Sequence, residues 1–141
     1  MNTITETFNK SERLCSRKII ETLFEEGNIF YNSLFKVVWA VSQIPSSGPA
    51  QVAFSVSKRG YKLAVTRNLI KRRMREAYRK NKNSLYDHLL AQNIQLAFVV
   101  ILRGNKIPDY LVIEKSIKEM ISKLILLTGP KSEDRSPKSE E

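Results

Sequence analysis

The 141-residue chain has one cysteine, one histidine and no apolar run longer than the seven residues "LAFVVIL" at 96–102. A lone cysteine, Cys15, excludes an internal disulfide and the usual thiolate zinc site; it reads as a small packing residue in a reducing compartment. A lone histidine, His88, excludes a histidine pair and needs no role beyond a helix surface. Seven apolar residues fall far short of the roughly 20 that span a bilayer. The opening "MNTITETFNK" lacks the apolar core of a signal peptide. A Gly-rich phosphate loop, a Ser-His-Asp order and a Cys-His pattern are also absent. Glu21, Glu25 and Glu26 share one helix with no matching set elsewhere, and Asp87, Asp109 and Glu114 are scattered. Phosphodiester hydrolysis usually needs grouped carboxylates or histidines. The expectation is a soluble, cytoplasmic binding protein without its own catalytic centre.

What is present suits one domain. With 42% hydrophobic residues, a chain of this length buries one core. That domain is expected over residues 11–127, between a flexible start (1–10) and a disordered tail (128–141, "TGPKSEDRSPKSEE") with no apolar anchor. Residues 11–27 read as a helix, with Ser11 as cap and Gly27 as stop. Residues 34–41 read as a strand. In "QVAFSVS" (51–57), Val52, Phe54 and Val56 alternate with Ala53, Ser55 and Ser57, so one strand face is core and the other small and polar. A helix is expected from about 66 to 82, a buried strand over 94–103 and a last helix over 110–127. Another strand fits 28–33 or 44–50. The order α-β-β(-β)-α-β-α suggests an α/β two-layer sandwich.

The charge is concentrated. Between residues 58 and 82 stand eleven basic residues and one acid, Glu76, which equals the whole net charge of +10; elsewhere 13 bases meet 13 acids. A local positive field of this kind attracts polyanions. At about 100° per residue, Arg67, Lys71, Arg75, Asn68, Arg79 and Arg72 share one arc of the helix, while Ile70, Met74 and Ala77 lie opposite and Tyr78 at the boundary. An ordinary solvated helix mixes signs at i, i+4, whereas Arg67, Lys71, Arg75 and Arg79 form a like-charged row that repels itself by a few tenths of a kcal/mol per pair, roughly. A dense anion relieves that repulsion, and guanidinium forks match phosphate. The apolar side is too modest for membrane insertion, and a strand rather than a short helix precedes the basic helix, against a helix-turn-helix DNA reader. Nucleic-acid binding is the reading favoured.

With these residues in view, the chain resembles the protein-subunit family of bacterial ribonuclease P over about residues 13–127. The resemblance rests on "VSKR" at 56–59 and "AVTRNLIKRRMREAY" at 64–78. The family pattern Arg-Asn-x-x-Lys-Arg-x-x-Arg-Glu is met by Arg67, Asn68, Lys71, Arg72, Arg75 and Glu76. The chain departs at Leu69, where a second Arg is usual, and at "GYKL" (60–63), one residue longer than usual. The resemblance implies a ribosomal protein S5 domain 2-like fold with a left-handed crossover. It implies a subunit of the enzyme that removes the 5′ leader of precursor tRNA, with Mg2+ and catalysis in the RNA subunit and no cofactor on the protein. Partners would be the catalytic RNA and the precursor tRNA leader, not DNA or membrane. Arg67, Asn68, Lys71, Arg72, Arg75 and Arg79, with Lys62, would contact the catalytic RNA, Asn68 near an RNA-bound metal ion. Ile20, Phe24, Lys36, Val38, Ser55, Ser57, Lys58 and Arg59 would form the leader cleft. Core packing is the competing reading of Phe24.

Overall fold

Strand β2 (Phe35–Val41) buries Phe35, Val37 and Trp39 on one face and turns Lys36, Val38 and Ala40 to the other, the period-two alternation of a pleated strand. The structure, a computed structural model, describes residues 8, 10–41, 44 and 48–129. Within them a 3-10 turn (Lys10–Glu12) leads to α1 (Arg17–Glu26), β1 (Asn28–Tyr31), β2 and β3 (Ala50–Ser55). Then come α2 (Ala64–Asn81), α3 (Asn83–Gln92), β4 (Leu96–Leu102) and α4 (Tyr110–Leu127). The sheet order is β1-β2-β4-β3; β1–β2 and β2–β4 are antiparallel and β3–β4 parallel. Parallel neighbours cannot be joined by a hairpin, so α2 and α3 form the crossover between β3 and β4. The expected α/β sandwich is what the chain builds.

The main core lies between one sheet face and α2, α3 and α4. Tyr78 sits at its centre and meets Phe8, Phe54, Tyr86 and Phe98 edge-on, at centroid distances of 5.8, 5.7, 6.3 and 6.0 Å. Its hydroxyl donates to Tyr86 (3.2 Å), and the Tyr86 hydroxyl donates to Glu12 (2.6 Å). The Lys82 ammonium donates to the same carboxylate oxygen. Burial first, then the neighbouring Tyr78 and Glu12, push the Tyr86 phenol far above its ordinary range, so it stays a donor. This buried network ties the 3-10 turn to the junction of α2 and α3. On the opposite sheet face, Leu23, Ile19 and Ile20 of α1 pack with Leu14 and Ile44 on Val38, Ala97 and Val99.

Several boundaries differ from expectation. The first helix starts at Arg17, and its cap is Ser16, whose Oγ accepts from the Ile19 amide at 3.3 Å. The preceding segment has other work: Arg13 bridges Val52, and the Leu14 amide donates to the Val52 carbonyl at 2.9 Å, sealing the outer edge of β3. Gly27 does follow α1, but with φ −72°. Glycine is needed there for close approach, since a Cβ would lie 2.5 Å from the Leu23 oxygen and 3.1 Å from Val38 Cγ1. Cys15 is exposed, not a packing residue, because it lies between the buried Leu14 and the cap. Helix α3 was not expected. Lys82 keeps helical dihedrals (φ −75°, ψ −17°), so no Gly or Pro punctuates the bend. The extra strand at 28–33 is β1; of the alternative at 44–50, residues 45–47 lie outside the described residues, as do 1–7, 9 and 130–141 of the expected flexible ends. Thr128 belongs with α4. Its hydroxyl donates to the Leu124 carbonyl at 2.7 Å and therefore accepts from His88 Nε2 at 3.1 Å, which gives His88 a structural tie between α3 and α4.

Candidate nucleic-acid interface

Helix α2 docks through Ile70, Met74, Ala77 and Tyr78, all fully buried; Tyr78 lies inside rather than at the boundary because the aromatic cluster surrounds it. On the other side Asn68 and Arg72 are exposed and Lys71 and Arg75 half-buried. Among the described residues no carboxylate lies within ion-pair distance of Lys71, Arg72 or Arg75. Burial, then the charges of Arg13 and Arg72, lower the Arg75 guanidinium below its ordinary value. These cations repel one another and are relieved by an anion.

Not every base of the segment is free for such an anion. The Arg67 guanidinium donates to the carbonyls of Tyr61 (2.8 Å) and Lys62 (2.9 Å), bracing a helix start whose N-cap, Leu63, supplies no side-chain cap. Arg79 grips Glu76 with two hydrogen bonds, at 3.1 and 2.7 Å. That contact, ahead of the nearby charges, holds the Glu76 carboxyl below its ordinary value. Arg73 donates to the Pro108 carbonyl at 2.9 Å, and Lys82 is 2% exposed against Glu12. The ridge is therefore narrower than the charge count suggests: Lys71, Arg72 and Arg75 flank Asn68, with Arg67 and Arg79 half-committed at its ends.

A tight turn joins β3 to this helix. Ser57 Oγ accepts from the amides of Arg59 (3.0 Å) and Gly60 (3.4 Å). The Tyr61 hydroxyl donates to the Lys106 carbonyl. A Cβ at Gly60 would lie 2.8 Å from the Gly104 oxygen, so only glycine lets the turn rest on the loop after β4. Ser57, Lys58, Arg59 and Lys62 are exposed along it.

Two rows on the α1 side of the sheet bear on the expected cleft. In one, Val38 pairs with Val99 and Val99 with Ala53. This row lies under α1, and Val38, expected to line the cleft, is 0% exposed; Leu23 and its neighbours cover it, so it supports the floor from within. In the next row Lys36 pairs with Ile101 and Ile101 with Ser55, and all three are half-buried rather than covered. On α1 itself, Ile20 is half-buried against that helix's own cluster, and Phe24 is 53% exposed. Core packing is thus not the role of Phe24. Ile101 was missed as a floor residue because it lies within a run that reads as wholly buried.

A family model described as Ribonuclease P matches residues 8–125. The chain belongs to the ribonuclease P protein family. The ribonuclease P protein component of Porphyromonas gingivalis is 32% identical over 116 residues, covering 82% of this chain and 85% of that protein. The component of Chlorobium phaeobacteroides is 30% identical over 130 residues, covering 85% and 89%. Among solved structures, the RNase P protein of Staphylococcus aureus is 26% identical with TM-score 0.64, covering 82% of this chain and 95% of that one. The RNase P protein of Thermotoga maritima, 22% identical with the same TM-score, over 79% and 96%, shares the fold. As a ribonuclease P protein component, the chain is a subunit of the endoribonuclease of tRNA 5′ maturation. Among the described residues no three His, Cys, Asp or Glu side chains group as metal ligands, and no helix is long and apolar enough to cross a membrane.

Proposed function

We propose that the chain, as one cytoplasmic domain over residues 11–127, lays α2 along the catalytic RNA of ribonuclease P and holds the precursor tRNA leader on the α1-side floor, leaving bond cleavage to the RNA. The observation that carries this reading is the ridge of Lys71, Arg72 and Arg75: cations with no carboxylate partner among the described residues, on a helix whose other side is buried. Crowded phosphates supply the missing counter-charge, and each contact releases condensed cations from the RNA. Asn68, exposed between them, offers a neutral donor and acceptor to a sugar hydroxyl or a hydrated metal ion. With no grouped metal ligands of its own among the described residues, the protein would leave Mg2+ to the RNA and act by easing phosphate repulsion around it.

The leader would enter over the open row of Lys36, Ile101 and Ser55, beside Phe24 and Ile20. Its far end would meet Ser57, Lys58 and Arg59 on the turn, with Lys62 next to α2. An exposed phenylalanine stacks any base, which suits a leader of varied sequence. The test is reconstitution with the cognate catalytic RNA and precursor tRNAs whose leaders differ in length. Cleavage at low magnesium rises on adding the protein, and substrate affinity grows with leader length. Affinity independent of leader length would defeat the leader reading and favour a purely structural RNA-binding role.

A further inference from the structure

The open row does not stop at Lys36. Tyr31 of β1 pairs with Lys36 in the strand register, and Ile29 with Val38, while Phe30 between them faces the main core. Tyr31 therefore continues the row Lys36, Ile101, Ser55 to the free edge of the sheet, and it is 59% exposed. Arg103, just past β4, stands over its ring with the guanidinium carbon 5.0 Å from the centroid. Two hydrogen bonds hold Arg103 in place: its amide donates to the Leu34 carbonyl (2.8 Å) and its guanidinium to the Asn32 carbonyl (3.0 Å). Among the described residues no carboxylate pairs with it.

A clamp on the hairpin accounts for the Arg103 hydrogen bonds but not for a large aromatic ring left open on a sheet edge. With one face under a guanidinium, the exposure of Tyr31 belongs to the other face and the rim. A planar ring beside an unpaired, pre-positioned guanidinium, with the Lys36 ammonium in the same row, matches the parts of a nucleotide: base on ring, phosphate on cation. A protein or lipid partner would want a broader apolar patch, and the charge here is wrong for a basic one.

The geometry points to Tyr31 and Arg103 as a separate nucleotide platform at the β1 end of the floor, which takes a base and phosphate of single-stranded RNA. This rests on the leader reading above and extends it beyond Phe24 and Lys36. No residue of the platform belongs to the basic helix, so it adds a contact that only a leader long enough to cross the sheet reaches.

The experiment is equilibrium binding by the holoenzyme, reconstituted with its cognate RNA, of precursor tRNAs with leaders from one nucleotide upward. Tyr31→Ala should weaken the long-leader complexes about 5- to 150-fold, the range of one lost stack, and leave the one-nucleotide complex unchanged. Tyr31→Phe, which keeps the ring, should stay within about twofold of the parent. Arg103→Ala should lower the long-leader salt slope by roughly 0.7, one single-strand phosphate. If Tyr31→Ala has no effect while Phe24→Ala selectively weakens long leaders, the floor stands and the platform is refuted. Equal losses at every leader length also overturn it, since they report damage to the fold or to RNA-subunit binding. If the parent holoenzyme ignores leader length, the leader reading fails with it.

Discussion

The ridge on α2 and the floor beneath α1 are built on opposite principles. The ridge is charge held against its own repulsion: Arg75 is crowded by Arg13 and Arg72, and its apolar side is spent on docking. The floor carries its charge sparsely, as a row of Lys36, Ile101 and Ser55 on adjacent strands, all half-buried. A ridge of this kind binds any dense polyanion and loses affinity with salt. A floor of this kind adds base stacking to a few scattered cations, which fits a single strand and tolerates varied sequence.

The largest effect expected sharpens the comparison by taking away a cation that belongs to neither surface. Lys82→Ala leaves the buried Glu12 carboxylate without its ammonium and should cost about 3–5 kcal/mol of stability in denaturant unfolding. The salt slope of RNA binding, measured where the variant is folded, should not change. A changed slope with intact stability would return Lys82 to the ridge. Next in size, Phe24→Ala should weaken long-leader precursor binding by about 1–3 kcal/mol at low and high salt alike. A loss that vanishes in high salt would mean that the floor too works by charge. Smaller still, Arg72→Ala should reduce the log–log salt slope for catalytic RNA by roughly 0.7–0.9. Arg79→Ala should reduce it less, because Glu76 already neutralises that guanidinium; equal slopes would show the pair opening on binding.

The smallest effect concerns Glu76 itself. Its folded carboxyl sits below the ordinary value of 4.5. Its contribution to stability is therefore complete above about that pH, and is lost as pH falls through the lower folded value. The Tm gap between parent and Glu76→Gln should be constant near neutrality and close in acid. A gap that persists at the lowest pH would assign the effect to packing.

The two surfaces were unequally legible in the sequence. Periodicity alone separated Ile70, Met74 and Ala77 from the cations, because one helix carries both sides of the argument. It did not reveal that Arg79 and Lys82 are spoken for. The partner of Lys82, Glu12, is distant in sequence, and i, i+3 contacts such as Glu76–Arg79 compete with a free guanidinium. On the floor, the resemblance put Lys36 and Val38 together in the cleft, yet it could not say that α1 would bury Val38 fully and leave Ile101 half-buried. That depends on where a helix ends over a sheet, which is a tertiary fact. Helix α3 escaped for a local reason, since "NKN" turns the chain without a Gly or Pro. Asn93, left-handed at φ 58°, was the one stop signal in the segment.

The Arg13 bridge to Val52 has a consequence for handling the protein. It occupies backbone groups of Val52, midway along β3, that would otherwise face any passing strand, and Glu12 anchors that short segment through Lys82 and Tyr86. Clipping or prying away the segment would uncover a docking template on a flat sheet margin. Damage there should announce itself as concentration-dependent clumping of chains that are still folded.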